Sequence, residues 1–161
     1  MVSVLNPLIG KTDPLTIQHS ARTASAAVIS LFVARWFGLS ESYWAAITTL
    51  VVMQSTLGAA LTPSRQRFAG TALGALMGAL VGAYLGPEVI VFGAAIFVMG
   101  LMCEALCLDR SAYRFAGITL TIVTLVPRRR PAWVVASHRF IEVTVGIAVA
   151  LLLSAVWPDR S

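Results

Sequence analysis

The chain has 161 residues, of which 58% are hydrophobic and only 12% are charged, with a net charge of +5. Because soluble domains average about 25% charged residues, this composition excludes an ordinary soluble globular protein. The basic residues are not interleaved with aromatic residues on a polar face, so we expect no nucleic-acid partner.

Six apolar segments follow a short N-terminal tail at 1–15, and each is close to the length of about 20 residues that spans a bilayer. They lie at 16–37, 42–61, 66–86, 88–108, 111–127 and 132–157, before a C-terminal tail at 158–161. The connections are short, so neighbouring helices are expected to be antiparallel. The sequence therefore predicts an all-α integral membrane protein with a six-transmembrane-helix bundle over 16–157.

Basic residues are distributed unequally between the two ends of this predicted bundle. Those on the side of the termini are Lys11, Arg22, Arg65, Arg67, Arg110, Arg114 and Arg160. Those on the other side are Arg35, Arg128, Arg129, Arg130 and Arg139. Since cytoplasmic loops carry the excess of lysine and arginine, both termini are expected in the cytoplasm.

The second segment has a polar but uncharged middle, and Gln54 is its most polar residue. Two interpretations stay open. Gln54 either bonds a neighbouring helix or lines a pore or binds substrate, where Ser55, Thr56 and Gly58 allow a broken helix. The stretch Thr62-Pro63-Ser64 is expected to separate the second helix from the third.

Five glycines recur at four-residue spacing in the third segment. They are Gly70, Gly74, Gly78, Gly82 and Gly86. In a water-soluble helix each interior glycine costs about 1 kcal/mol relative to alanine. In a bilayer, small residues let neighbouring helices approach closely. This glycine ladder predicts helix packing around a central third helix, and leucine at Gly74 or Gly78 is expected to abolish assembly.

Charged side chains inside membrane segments cost about 2.5–3.5 kcal/mol at the helix centre, so they mark candidate functional sites. Arg139 and Glu142 are three apart on one helical face. They form either a structural ion pair or a site where Arg139 binds an anion and Glu142 pairs with it or carries protons. Glu104 either pairs with Arg110 or Arg114 or couples to protons.

The sequence contains no phosphate-binding loop, no nucleophile elbow and no paired-histidine metal motif. Cys103 and Cys107 lie four apart in one apolar run, with too few further ligands for a metal ion. We therefore expect no enzymatic activity, no catalytic residue, no cofactor and no metal site.

Five stretches in this order resemble the transmembrane domain of the fusaric acid resistance and aromatic acid exporter family. They are His19-Ser-Ala-Arg-Thr-Ala, Tyr43-Trp-Ala-Ala-Ile-Thr with the following Val-Met-Gln54-Ser, Arg67-Phe-Ala-Gly-Thr, Ala112-Tyr-Arg-Phe-Ala-Gly-Ile-Thr and Arg139-Phe-Ile-Glu-Val-Thr-Val-Gly-Ile. Plant aluminium-activated malate channels are more distant relatives of this family. The resemblance covers roughly 17–157 and implies a six-helix unit with a cytoplasmic N-terminus.

The resemblance also implies efflux of organic anions, aromatic carboxylates among them, across the bacterial inner membrane. The chain holds one unit where larger members hold two or form dimers, so a homo-oligomer in the lipid bilayer is expected. The alternative is a non-transporting membrane scaffold or an accessory subunit of an efflux system. By resemblance, the candidate site residues are Arg22, Tyr43, Trp44, Gln54, Arg67, Arg114, Arg139 and Glu142.

Overall fold

The computed structural model describes residues 14–54, 56–127 and 129–157, and every regular element in these ranges is an α-helix. The six helices are α1 (Pro14–Trp36), α2 (Tyr43–Val52), α3 (Leu57–Tyr84), α4 (Val89–Ala105), α5 (Arg110–Leu125) and α6 (Ala132–Val156). The predicted all-α class is confirmed. Of the two predicted tails, 1–13 and 158–161 lie outside the described residues.

One helix of the described residues, α6, is long and apolar enough to cross a membrane by length and composition. The apolar helices α2 and α4 are shorter, with 10 and 17 residues. Helices α1 and α3 have 23 and 28 residues but carry buried arginine, serine and threonine side chains that lower their hydropathy. The number of helices thus agrees with the six predicted segments, whereas six membrane spans stay a prediction.

The boundary between α2 and α3 differs from the predicted one. The chain leaves the helical path after Val52, and α3 begins at Leu57, where the Thr56 side chain accepts a hydrogen bond from the Ala59 N–H at 3.3 Å. A threonine in this position caps the helix, which fixes the start of α3 before the proline. Pro63 consequently lies inside α3, and the expected boundary at 62–64 is wrong.

Helix α3 takes a central place and packs most extensively against α5 and α6. On one side, apolar residues of α3, α4 and α5 form a cluster around Met99 and Leu120. On the other side, α1, α2 and α6 pack around Ala26, Val52 and Val143. Many large apolar side chains still point outward, which is typical of a surface that contacts lipid or another chain.

The glycine ladder forms the contact between α3 and α5. A Cβ atom at Gly70 or Gly74 would overlap the backbone carbonyl oxygen of Ala112 or Ala116, respectively. A Cβ at Gly78 would lie 2.8 Å from the Val123 side chain. The backbones of α3 and α5 approach this closely because the glycines lack side chains.

The two last glycines of the ladder have other surroundings. A Cβ at Gly82 would lie 2.7 Å from the side chain of Ala132, at the start of α6. Gly86 follows the end of α3 with φ +80°, and a Cβ there would meet nothing within 4 Å. Gly86 therefore serves the turn and not the helix packing that its spacing predicted.

Helices α1 and α4 end in the same hydrogen-bonding pattern with different residues. At α1, Gly38 adopts φ +67° and the Leu39 N–H donates to the Ala34 carbonyl at 3.1 Å. At α4, Cys107 adopts φ +52° and the Leu108 N–H donates to the Cys103 carbonyl at 2.8 Å. This left-handed position favours glycine, so Cys107 adopts it at a conformational cost.

We expect Cys107→Gly to raise the free energy of unfolding by about 1 kcal/mol, because glycine removes the left-handed strain. Gly38→Ala serves as the matched change and should lower it by about 1 kcal/mol, because alanine is strained at the left-handed φ of +67°. No atom lies within 4 Å of a Cβ there, so this strain is the only expected cost. Unfolding by SDS in mixed micelles measures both values. A destabilised Cys107→Gly variant would contradict the prediction.

Candidate functional site

Helix α6 carries a buried charged pair, Arg139 and Glu142, each 1% exposed. The Arg139 Nη1 atom lies 3.6 Å from Glu142 Oε2, so these residues form an ion pair. The guanidinium carbon of Arg139 also lies 3.7 Å from the ring centre of Trp44 on α2. A cation over an indole face is attracted by the ring quadrupole, so Arg139 is held from two sides.

Glu41, in the connection before α2, joins this pair to the tryptophan. Its backbone N–H donates to Glu142 Oε1 at 3.1 Å. Its own Oε2 accepts a hydrogen bond from Trp44 Nε1 at 3.1 Å. Glu41, Trp44, Arg139 and Glu142 therefore form a closed ring of contacts between the α1–α2 connection, α2 and α6.

Arg67 of α3 is a second buried arginine, 5% exposed. Its Nη2 donates to the Thr48 hydroxyl at 3.2 Å, and its guanidinium carbon lies 4.6 Å from the Phe115 ring centre. Within the part of the chain that the structure describes, the Arg67 Nε has no hydrogen-bond partner and no carboxylate pairs with the side chain. Arg67 is thus a buried positive charge with weak compensation.

Arg22 of α1 is fully buried and binds the carboxyl ends of two other helices. Its Nη1 donates to the Trp157 carbonyl at 2.7 Å, just after α6. Its Nη2 donates to the Gln54 carbonyl, just after α2. One guanidinium thus joins α1 to the chain just beyond the C-terminal ends of α2 and α6, where unpaired carbonyl groups favour a cation.

The three buried arginines come from α1, α3 and α6, and each contacts α2 or the residue shortly after it. Arg139 lies on Trp44 and Arg67 on Thr48, one helical turn and about 6 Å further along α2. Arg22 binds the carbonyl of Gln54 at the other end. These arginines form what we call the arginine row.

An open cavity of about 370 Å³ lies at the Arg139 end of the row. Its lining holds three arginines (Arg129, Arg130 and Arg139), two carboxylates (Glu41 and Glu142) and His138, together with apolar residues of α6 and of the α5–α6 connection, so the positive charges outnumber the negative by three to two. Arg129 and Arg130 are exposed at its edge, whereas Arg139 forms part of its buried wall. An excess of positive charge in a recess attracts anions and raises their local concentration.

Four further predicted site residues lie outside these buried contacts. Tyr43 is half exposed, with its ring centre 5.5 Å from that of Trp44, and the Gln54 side chain is exposed. Arg114 is exposed on α5, and Glu104 is exposed on α4 beside Arg110 in a second cavity. Among the described residues, no ion pair joins Glu104 to either arginine.

Three contributing residues were absent from the predicted site: Glu41, Thr48 and Phe115. Thr48 and Phe115 are the partners of Arg67. Glu41 is one of only seven acidic residues in the sequence and lies three positions before Trp44. The scarcity of acidic residues and the position of Glu41 just before Tyr43 and Trp44 are the signals that could have identified it.

The sequence matches the family model described as fusaric acid resistance protein-like over residues 27–153. The chain is also similar to the uncharacterized transporter YdhK of Escherichia coli K12. Identity is 27% over 153 residues, which cover 89% of this chain and 23% of YdhK. Inner membrane protein YeeA of the same strain is 30% identical over 152 residues, which cover 90% of this chain and 42% of YeeA.

A plant protein, aluminum-activated malate transporter 14 of Arabidopsis thaliana, is 24% identical over 164 residues. This match covers 91% of the chain and 30% of the plant protein. The chain therefore spans less than half the length of these three relatives. No solved structure matches it significantly.

Proposed function

Because the chain belongs to the fusaric acid resistance protein-like family, we propose that it is a membrane transporter or channel for organic anions. We propose aromatic carboxylates as its substrates and export as its direction. The names of its relatives, two transporters and an inner membrane protein, support the coarser part of this proposal. The finer part depends on the arginine row.

The proposal places the six helices in the bacterial inner membrane as a multi-pass unit, with both termini in the cytoplasm. Outward-facing apolar residues such as Phe32 and Phe97 would then contact lipid. The basic cavity beside Arg130 would open to the periplasm and the Arg22 end would face the cytoplasm.

The arginine row is the observation that carries the proposal. A buried charge costs several kcal/mol unless good partners compensate it. Arg67 has a hydroxyl and an aromatic ring as partners instead of a carboxylate. A fold gains little from such a residue, whereas an anion moving along α2 would gain a charge-assisted partner at Arg139 and again at Arg67.

Aromatic rings accompany the arginines, which supports aromatic acids as substrates. Trp44 lies beneath Arg139, Tyr43 lies beside Trp44, and Phe115 lies beneath Arg67. Since the arginines already cover one face of Trp44 and of Phe115, a substrate ring would stack on the half-exposed Tyr43 while its carboxylate binds a guanidinium.

Proton coupling belongs to the proposal as a separate part, with Glu142 and Glu104 as candidates. Glu142 is buried beside Arg139, so protonating it would release the arginine for an anion. Glu104 is exposed in a cavity of about 500 Å³. The test compares a pH gradient with a substrate gradient as the driving force. Loss of only the pH-driven flux in Glu142→Gln would support coupling there.

The scaffold alternative loses its main structural support. It relied on the glycine ladder as a surface for assembly, but Gly70, Gly74 and Gly78 pack on α5 of the same chain. A homo-oligomer stays part of the proposal through other surfaces, and light scattering on the purified protein in mild detergent measures it. A monomer both there and after crosslinking in native membranes would contradict it.

Substrate flux in proteoliposomes tests the proposed function, with benzoate, malate and chloride as probes. We expect flux of benzoate in the wild type and at least about a tenfold loss in Arg67→Met, because the second binding charge is gone. Methionine fills a similar volume without a charge, so folding stability should stay unchanged or rise.

The separation of these two effects is the decisive result. Retained stability with lost flux assigns Arg67 to anion passage. Equal benzoate flux in the variant and the wild type would contradict that role. A wild type as silent as Arg139→Ala toward all three probes would overturn the transport proposal for this chain.

A further inference from the structure

We propose that Glu41 is a positioning residue that holds Trp44, and through it Arg139, in the geometry that receives an anion. This inference rests on the proposed function. Glu41 lies outside the helices, in the connection between α1 and α2, and touches both members that surround Arg139. Because Glu41 belongs to no helix, its position depends on these contacts.

The first step concerns the orientation of the tryptophan ring. The Trp44 Nε1–H donates to Glu41 Oε2 at 3.1 Å, which restricts rotation of the indole about its side-chain bonds. The same indole presents its face to Arg139 at 3.7 Å. A tilt of the ring would therefore move or release the guanidinium.

The second step is electronic. A carboxylate that accepts the indole N–H polarises the ring toward its face, as neighbouring hydrogen bonds polarise one another. The attraction of a ring for a cation depends on negative charge at that face. Glu41 thus strengthens the hold of Trp44 on Arg139 in addition to fixing its direction.

The third step concerns the counter-ion. The Glu41 backbone N–H occupies Glu142 Oε1, and Glu142 Oε2 faces Arg139. The main chain of Glu41 therefore directs one carboxylate oxygen of Glu142 away from Arg139. Its side chain orients the Trp44 ring. Both effects place Arg139 between two partners at the wall of the cavity.

Three substitutions distinguish the effects of the Glu41 charge, of the Glu41 acceptor oxygen and of the Trp44 indole donor. Glu41→Gln keeps an oxygen acceptor for the indole N–H, whereas Glu41→Ala removes it. Trp44→Phe keeps an aromatic face under Arg139 and removes the donor. Glu88→Ala is the matched control, because Glu88 is an exposed acidic residue in the α3–α4 connection, and removing it changes the net charge equally.

We expect the benzoate concentration for half-maximal flux to rise about tenfold in Glu41→Ala, as for a lost contact of about 1.4 kcal/mol. Glu41→Gln should stay within about twofold of the wild type, as should Glu88→Ala. Trp44→Phe should raise this half-maximal concentration at least as much as Glu41→Ala does. The double variant Glu41→Ala with Trp44→Phe should have the same half-maximal concentration as Trp44→Phe alone, because both changes remove the same hydrogen bond.

Multiplying effects in the double variant would overturn the inference, as would a glutamine variant as impaired as the alanine variant. Nuclear magnetic resonance of the ¹⁵N-labelled protein in micelles provides a second readout that needs no transport. The Trp44 indole N–H and Arg139 Nε–H resonances should shift in Glu41→Ala and persist in Glu41→Gln. If the wild type transports nothing, the proposed function fails, and unchanged resonances in Glu41→Ala would separately refute the positioning link.

Discussion

Arg139→Ala is expected to abolish anion flux and to lower the free energy of unfolding by about 3–5 kcal/mol. The alanine removes the cation over Trp44 and leaves Glu142 buried without its ion-pair partner. Leaving one member of a buried pair uncompensated is far more costly than removing both. Flux in proteoliposomes and SDS unfolding in mixed micelles measure the two losses.

The double variant Arg139→Met with Glu142→Gln separates the two roles of the pair. Uncharged side chains of similar volume should bring stability back to within about 1 kcal/mol of the wild type, because the glutamine oxygen still accepts from the Glu41 N–H. Anion flux should remain absent, because no charge is left at the cavity wall. A stable double variant that still transports would show that the pair serves only the fold.

Gly74→Ala is expected to lower the free energy of unfolding by about 2–3 kcal/mol, the cost of overpacking a tight contact. The new methyl group would overlap the Ala116 carbonyl oxygen and lie 2.8 Å from the Ala116 Cα. Because this contact lies within one chain, Gly74→Leu should prevent folding and not merely assembly. SDS unfolding measures the alanine variant, and expression in membranes measures the leucine variant.

Gly93→Ala in α4 is the matched control for the ladder. A Cβ there would meet nothing within 4 Å, so alanine should leave stability unchanged or raise it by up to about 1 kcal/mol. If Gly74→Ala and Gly93→Ala had the same effect, the ladder would be a matter of helix propensity and not of packing.

Local spacing made part of the fold and of the site predictable. The pair of Arg139 and Glu142 lies three residues apart, so the helical repeat places both on one face. The ladder likewise follows from glycines repeated at one interval. Apolar segment lengths predicted six helices, although Thr56 moved one boundary away from Pro63 by capping α3 earlier.

Contacts between distant parts of the chain were not predictable in this way. Arg22 and Trp157 are 135 positions apart, and Glu41 and Glu142 are 101 positions apart. No periodic pattern relates such residues, because their contact depends on how the helices pack. The sequence therefore indicated the candidate site arginines, but it did not indicate the residues that contact them.

Close backbone contacts also determine which parts of this bundle are able to move. Helices α3 and α5 interlock through Gly70 and Gly74, and α2 interlocks with α6 through Gly146, where a Cβ would overlap the Ala45 carbonyl oxygen. Each pair must travel as a rigid body, since separation would open voids along a backbone. Between the pairs, α3 meets α6 where Ala75 packs with Val135 and Ala136, and Gly82 lies close to Ala132. Arg67 and Arg139 belong to opposite bodies, so a shear of α3 along α6 would change the distance between the two charges.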